Sequence, residues 1–499
     1  MTTIVDDLQR AVSQHQDKPA LVHGDNSLSY SELWTLAEKV ATLLRQQGLE
    51  RGGRVVLIIE NSPEYAALYY GVLLAGGVVV ALNTAAKEDE LNNWIAHAGA
   101  TFGFAKPAVL NCKSSEPAKI FLIRRIDEGT QLIVSLDKIS SMDIHLQSCE
   151  INENDLAAII YTSGTTGEPK GVMLSHKNLA ANMASIREYL PIEADDRVLN
   201  VLPFYYSYGN SVLHTNLGVG ATIVMENSMM FPAKVVESMQ NHEVTAFYGV
   251  ASTYAILLSR AKLENYNLSS MRYVTQAGGP MPPAHIEQIM CAIPQSKFFM
   301  MYGQTEATAR LGYIPAELIN KKLGSAGKAI PGVELEIRDN NGHPVPYGTE
   351  GEIYAKGENI MQGYWKNPEM TQEILNTGWL RTGDIAKMDE DGYIYMTGRR
   401  TDMIKSGANR ISPKEIEEKL AELEDIEESA AIGIRDDILG QAIKVYIVKK
   451  EGSDILKQTV MKHCKKNLAP YKIPKEVEFI EQLPKTASGK LQRFKLIER

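Results

Sequence analysis

Cysteine is scarce in this chain. Cys112, Cys149, Cys291 and Cys464 stand far apart and form no CxxC pair. That spacing excludes a disulfide framework, argues against a zinc site and fits a reducing, cytoplasmic setting. Positive charge is short as well, with 52 Lys and Arg against 61 Asp and Glu, a formal net charge of −9. A surface for nucleic acid needs the opposite excess, so no nucleic-acid partner is expected and any phosphate site must be local. Low-complexity tracts and internal repeats are missing too. The start, MTTIVDDLQRAVSQHQDKPA, is acidic by position 6 and has no apolar core of signal-peptide length; no export signal is expected. From Tyr65 to Ala86 charge is absent, but Gly71, Gly76 and Gly77 break the run and it ends in VVVAL. It reads as a buried helix-to-strand crossover, so no membrane span is expected.

What is present points to a large globular enzyme or binding protein. A chain of 499 residues with 44% hydrophobic and 23% charged side chains exceeds one core and calls for at least two domains. From about residue 53 the β-branched runs VVLIIE, VVVAL, LAAIIYTS, RVLNVLP, ATIVME and VTAFYG alternate with amphipathic stretches, which is α/β order. Between Gly332 and Tyr395 the runs VELEIRD, GEIYAKG and YIYMTG, separated by Asn-Gly, Tyr-Gly and Asp-Gly, predict a small antiparallel β unit. After Gly398 a helix is expected, with Ser412 as cap, Pro413 in its first turn, Glu415 closing a capping box and Ile416, Leu420 and Leu423 inward. ESAAIGI, AIKVYIVKK, a helix near Ile455 to Asn467 and VEFI complete a small α+β domain. The expected domains are 1–398 and 399–499; Asn111 to Asn154 supports no assignment.

The densest chemical signal is YTSGTTGEPKG, Tyr161 to Gly171, after the strand-like LAAII. Its hydroxyls, glycines and Lys170 suit a polyphosphate, with backbone N–H groups brought close by the glycines. It is not a Walker loop, because Pro169 precedes Lys170 and no GK[ST] ends it. By composition alone it equally fits a Gly/Ser/Thr surface loop.

The string resembles the phosphate-gripping signature of the adenylate-forming (AMP-binding) superfamily, which contains acyl-CoA synthetases, luciferases and nonribosomal-peptide adenylation domains. MYGQTEAT (Met301 to Thr308), WLRTGD (Trp379 to Asp384), GRRTDMIKSGANRISPKEIE (Gly398 to Glu417) and LPKTASGKLQR (Leu483 to Arg493) resemble its other signatures in order. The pattern is similar to a free-standing acyl-CoA ligase or acyl/aminoacyl-AMP ligase. The resemblance implies a large α/β N-terminal domain of subdomains with a small β unit, and a mobile C-terminal domain.

It also implies roles. Thr162, Ser163, Gly164, Thr165, Thr166 and Lys170 would hold the β- and γ-phosphates of ATP. Tyr302 would lie on the adenine with Gly278 and Gly279 as another wall. Thr305 would contact the α-phosphate and Glu306 would ligate Mg2+, as suits a hard cation, although Glu306 alone reads as a helix start. Asp384 would accept from the ribose hydroxyls with Arg399 assisting; TGD alone is an ordinary turn. Lys490, by itself a solvated loop lysine, would reach the α-phosphate and the substrate carboxylate. The hinge would lie within Arg400, Thr401 and Asp402, with Thr401 departing from the commoner Asp or Lys. Gly407 would border a pantetheine tunnel.

The implied reaction is ATP-dependent conversion of a carboxylic acid to an acyl-AMP, with transfer to coenzyme A or to a phosphopantetheinylated carrier protein. An inactive nucleotide-binding scaffold would have been signalled by loss of Lys490, Glu306 or Asp384, and all three are present. In LPFYYSYGNSVLH, Tyr206 occupies the place of a pocket-mouth histidine. No Asp occurs between Leu202 and Glu226 to pair with an ammonium, which favours an acid without a free α-amino group, although proline or recognition through Asn210 would not need one. Tyr248, Val250, Ser252, Gln276 and Ala277 are further pocket candidates by position and would serve equally as packing. No carrier domain follows Arg499, so a free-standing ligase is expected to serve either acceptor.

Overall fold

The computed structural model describes residues 3–86, 88–110, 116, 119–126, 129–143, 149–162, 169–399, 404–406, 409–436, 440–468, 472–485 and 491–497. The chain resolves into two compact units. One is Met1–Leu335 with Ala355–Leu380; the other is Glu336–Tyr354 with Arg381–Arg499.

In the first unit the β-branched runs form strands where expected. The uncharged run illustrates why. Ser62 caps the helix Pro63–Leu74 by accepting from the Tyr65 N–H, Pro63 fixes its first turn, and nearly every side chain from Tyr65 to Leu73 is buried. A helix apolar all round must lie inside a core. It connects strands Arg54–Ile58 and Val78–Ala81, which pair in parallel from Arg54 with Val78 to Leu57 with Ala81. No described helix is long and apolar enough to cross a membrane.

Those strands belong to an eight-stranded sheet among the described residues. Its order is Gly363–Tyr364, Lys170–Ser175, Leu156–Thr162, Val78–Ala81, Arg54–Ile58, Phe102–Ala105, Phe121–Ile126 and Gly129–Ser135. The last two strands fall in the stretch that supported no assignment from sequence. A second, nine-stranded sheet carries the parallel strands Thr222–Met225, Arg197–Asn200, Ala246–Gly249, Tyr273–Gln276 and Lys297–Tyr302 at its centre. Asp196, fully buried immediately before strand Arg197–Asn200, accepts from Arg272 at 2.5 Å, from Thr245 at 2.6 Å and from the Glu193 N–H at 2.8 Å.

In the second unit strand Ile394–Arg399 pairs antiparallel with Trp379–Met388, setting Asp384 opposite Arg399. The Asn-Gly and Asp-Gly turns close as their sequences require, with Gly342 at φ 82° and Gly392 at φ 81°. Strands Ile426–Asp436 and Gly440–Lys449 form a long antiparallel pair, and Glu476–Phe479 adds in parallel. The helix Pro413–Ala421 begins after Ser412 as predicted, but the capping box does not form. The Ser412 hydroxyl donates to the Thr397 carbonyl and Glu415 pairs with Lys472, so a tertiary acceptor and a lysine take the groups that local sequence offered to each other.

Two buried histidines give the first unit an acid weakness. Burial lowers His176 to about 4 and His214 to about 3. The His176 Nδ1 and His214 Nε2 have no partner among the described residues, while His214 Nδ1 meets the Tyr70 hydroxyl at 2.8 Å. Below about pH 6.5 the unfolded chain protonates them and the native state does not, so each unit of pH from there down to about 4 removes about 1.4 kcal/mol per histidine. His176→Gln is expected to flatten the decline of the urea midpoint between pH 7 and 5; an unchanged decline would assign it to other groups.

Candidate active site

The glycine- and hydroxyl-rich loop connects two antiparallel strands, Leu156–Thr162 and Lys170–Ser175, whose last and first residues, Thr162 and Lys170, face each other in register. Its flanks are anchored. The Tyr161 hydroxyl bonds His97 Nδ1 at 2.8 Å and donates to the Trp94 carbonyl at 3.3 Å, and its ring stacks on Trp94. Ser163, Gly164, Thr165 and Thr166, within the loop, lie outside the described residues. So do Lys490, Gly407 and the hinge residues Arg400, Thr401 and Asp402.

MYGQTEAT begins with the last two residues of strand Lys297–Tyr302. Gly303 is dictated by close approach, since a Cβ there would stand 2.1 Å from the Ala309 carbonyl oxygen. Thr305, Glu306 and Ala307 form one 3-10 turn, so Glu306 does not open an α-helix. Thr308 follows at φ 63°, a costly conformation for a β-branched residue. It is held by its own hydroxyl, which donates to the Asn359 carbonyl at 2.6 Å.

Asn359 belongs to a segment, residues 358–365, that ties this turn to the phosphate-loop hairpin. Asn359 Nδ2 donates to the Arg310 carbonyl at 2.8 Å, and the Met361 N–H to the Glu306 carbonyl at 2.9 Å. Gly363 and Tyr364 pair with Met173 and Val172 of the strand that leaves the loop, and the Trp365 N–H donates to Gly171 at 2.7 Å. From this position the Tyr364 hydroxyl donates to Glu306 Oε1 at 2.8 Å. Burial and the neighbouring carboxylate push the phenol far above its usual range, so it stays a donor. The Thr305 hydroxyl meets Ser207, first residue of the helix Ser207–Leu217, at 3.2 Å. Sequence reasoning missed Tyr364 and Ser207; neither carries a charge or a motif of its own.

Gln276 is fully buried and its Nε2 donates to the Gly279 carbonyl at 2.7 Å, fixing the turn in which Gly278 takes φ 87°. Its Oε1 has no partner among the described residues. Val250 packs close to Gly278, and Ala277 is buried. Tyr248 is buried, with its hydroxyl 3.2 Å from that of Tyr273. Asn210 lies in the first turn of its helix, its N–H on the Tyr206 carbonyl. In the second unit Arg399 Nε meets Asp384 Oδ1 at 2.8 Å, and Asp384 is buried. Gly383, at φ 75°, donates its N–H to Glu352, which Arg381 also binds; burial raises the Glu352 carboxyl, with Arg381 opposing.

One charged residue here was not anticipated. Arg310 is 2% exposed, and among the described residues no carboxylate pairs with it. Its guanidinium stacks 4.1 Å from the Tyr208 ring and donates to Met301 Sδ at 3.3 Å and the Ala309 carbonyl at 3.3 Å. Stacking contributes about 2 kcal/mol when desolvated, whereas burying an ion costs several, and a thioether is a weak acceptor.

The described residues contain no group of three or more His, Cys, Asp or Glu able to hold a metal. The oxygen-only set of Glu306, Thr305 and Ser207 suits a magnesium ion that takes one carboxylate and completes its shell with phosphate and water.

The family model described as AMP-binding enzyme matches residues 8–365, and that described as AMP-binding enzyme C-terminal domain matches residues 415–490. The chain is 32% identical to a long-chain-fatty-acid–CoA ligase of Bacillus subtilis over 98% of this chain and 93% of that protein. It is 33% identical to a 2-succinylbenzoate–CoA ligase of Bacillus licheniformis over 96% of each. Among solved structures, o-succinylbenzoate coenzyme A synthetase of Bacillus subtilis with ATP and a magnesium ion superposes with a TM-score of 0.85 at 27% identity, covering 99% of both chains.

Tyr364→Phe removes a donor to Glu306 while keeping the ring. Loss of such an outer partner is expected to weaken magnesium dependence on the order of tenfold, read from an Mg2+ titration of nucleotide binding by calorimetry; an unchanged titration would make Tyr364 a packing residue only.

Proposed function

The chain belongs to the AMP-binding enzyme family, and on that premise we propose that it is an AMP-forming acid–thiol ligase. It converts a carboxylic acid and ATP to an acyl-AMP and pyrophosphate, then passes the acyl group to the thiol of coenzyme A. The observation that carries this reading is the placement of Glu306. One carboxylate, oriented by Tyr364, is hydrogen-bonded to the strand that pairs beside the exit of the phosphate-loop hairpin.

A carboxylate is a poor acyl donor because its leaving group would be oxide; in the mixed anhydride the leaving group is AMP. Bringing two anions together is the barrier, and positioned cations lower it. In this reading Lys170 and the loop hydroxyls hold the β- and γ-phosphates, and Thr305 holds the α-phosphate. Tyr302 and the Gly278–Gly279 turn flank the adenine. Asp384, paired with Arg399, accepts from the ribose hydroxyls, and Lys490 bridges the α-phosphate and the attacking carboxylate. A magnesium ion on Glu306 would neutralise phosphate charge as the bond to pyrophosphate breaks.

We place the domain boundary at 398/399, with the pivot within Arg400 to Asp402 and Gly407 at the thiol channel. Tyr206, Asn210, Val250, Gln276 and Ala277 border the acid, which lacks a free α-amino group. Coenzyme A is taken as acceptor because the matched relatives are CoA ligases; a carrier protein presents the same thiol. The scattered cysteines support a cytoplasmic setting.

Acid-dependent ATP/pyrophosphate exchange tests adenylation. Lys490→Ala is expected to slow it about a hundredfold or more; wild-type exchange in that variant would remove Lys490 from the mechanism. Thr401→Pro is expected to slow at least one half-reaction, exchange or thioester formation. If both ran at wild-type rate, the pivot would have to lie elsewhere.

A further inference from the structure

Arg310 is the largest fully buried side chain among the described residues, and the reaction above gives it no task. Its backbone is fixed. The Arg310 Cα lies 2.7 Å from where a Cβ on Gly303 would stand, its carbonyl accepts from Asn359, and the next N–H, that of Leu311, donates to Tyr302 at 2.8 Å. The side chain therefore projects from the back of the MYGQTEAT turn and cannot be shifted without moving that turn.

Its neighbours are those of the acid-pocket candidates. Tyr208, on which the guanidinium stacks, lies in the first turn of the helix Ser207–Leu217, with Asn210, just after its N-cap Tyr206. Its hydroxyl meets Thr275 Oγ1 at 2.9 Å, one residue before Gln276, and its ring edge faces Tyr248. Tyr189, whose hydroxyl donates to the same Met301 sulfur as Arg310, stacks on Tyr313. The acceptors that its five guanidinium donors meet among the described residues are the Met301 thioether, the Ala309 carbonyl and the Tyr189 hydroxyl, none of them charged. A planar fork buried among phenols, with no counter-ion, is matched to an anion.

Resting on the ligase reading, we infer that Arg310 receives a second anionic group of the substrate, so that the acid activated here carries, besides the reacting carboxylate, a distal carboxylate or equivalent anion. Such a group would supply the missing counter-charge and accept two parallel N–H bonds. An acid ending in a methyl group would leave the guanidinium unpaired and desolvated, which is the asymmetry that lets a polar site reject an apolar analogue.

The test is ATP/pyrophosphate exchange by the full chain over straight-chain α,ω-dicarboxylic acids and monocarboxylic acids of matched length, with wild type, Arg310→Met and Arg310→Lys. The wild type is expected to favour one dicarboxylic acid over its monocarboxylic counterpart by at least about tenfold in kcat/KM. Arg310→Met should reverse that ratio and Arg310→Lys should retain part of it. Equal or better use of monocarboxylic acids by the wild type, with the ratio unmoved in Arg310→Met, overturns the inference while leaving the ligase reading standing. No exchange with any acid overturns both. Thermal unfolding supplies a readout independent of turnover. Removal of an unpaired buried charge should leave the midpoint of Arg310→Met unchanged or raised; a lowered midpoint together with an unmoved ratio would make the guanidinium a structural clamp.

Discussion

The geometry of the first unit depends on the hydrogen-bonded segment 358–365. It satisfies backbone groups of the MYGQTEATAR turn on one side and extends the phosphate-loop hairpin as an edge strand on the other. Without it, Thr308 would have no compensation for its positive φ, and the Glu306 carboxylate would lose the Tyr364 donor. Two sequence signatures more than a hundred residues apart thus become one site through main-chain bonds, which hold position more rigidly than surface side-chain contacts.

The buried charges show what is structural and what is functional. Asp196 is enclosed, but Arg272, Thr245 and a main-chain N–H satisfy it, so it stabilises the start of the central strands and leaves nothing to bind. Asp384 is paired with the partly exposed Arg399. Arg310 has no such partner, and the difference separates a completed interaction from one awaiting a ligand.

Legibility followed the range of the physics involved. The α/β runs and the helix-to-strand crossover at Tyr65 to Ala86 were readable because periodicity, caps and glycine punctuation act within a few residues. The Asn-Gly and Asp-Gly turns were readable for the same reason. The capping box at Ser412 was misread because tertiary partners took both side chains: the Ser412 hydroxyl turns to donate to the Thr397 carbonyl instead of accepting a local N–H, and Lys472 binds Glu415. Tyr364 and Arg310 carried no local signal: an isolated tyrosine reads as packing and an isolated arginine as surface.

The sequence by itself determined the family, the reaction type and the order of the signatures, since these reside in contiguous strings whose chemistry survives out of context. It also determined the central β-branched strands and the helix that follows Ser412. Only the tertiary structure decided which carboxylate is oriented by which hydroxyl, which aspartate is already paired, and which arginine is buried without a counter-ion. Those are relations between residues far apart in the chain, and burial, which makes them costly or useful, is a property of the packed molecule.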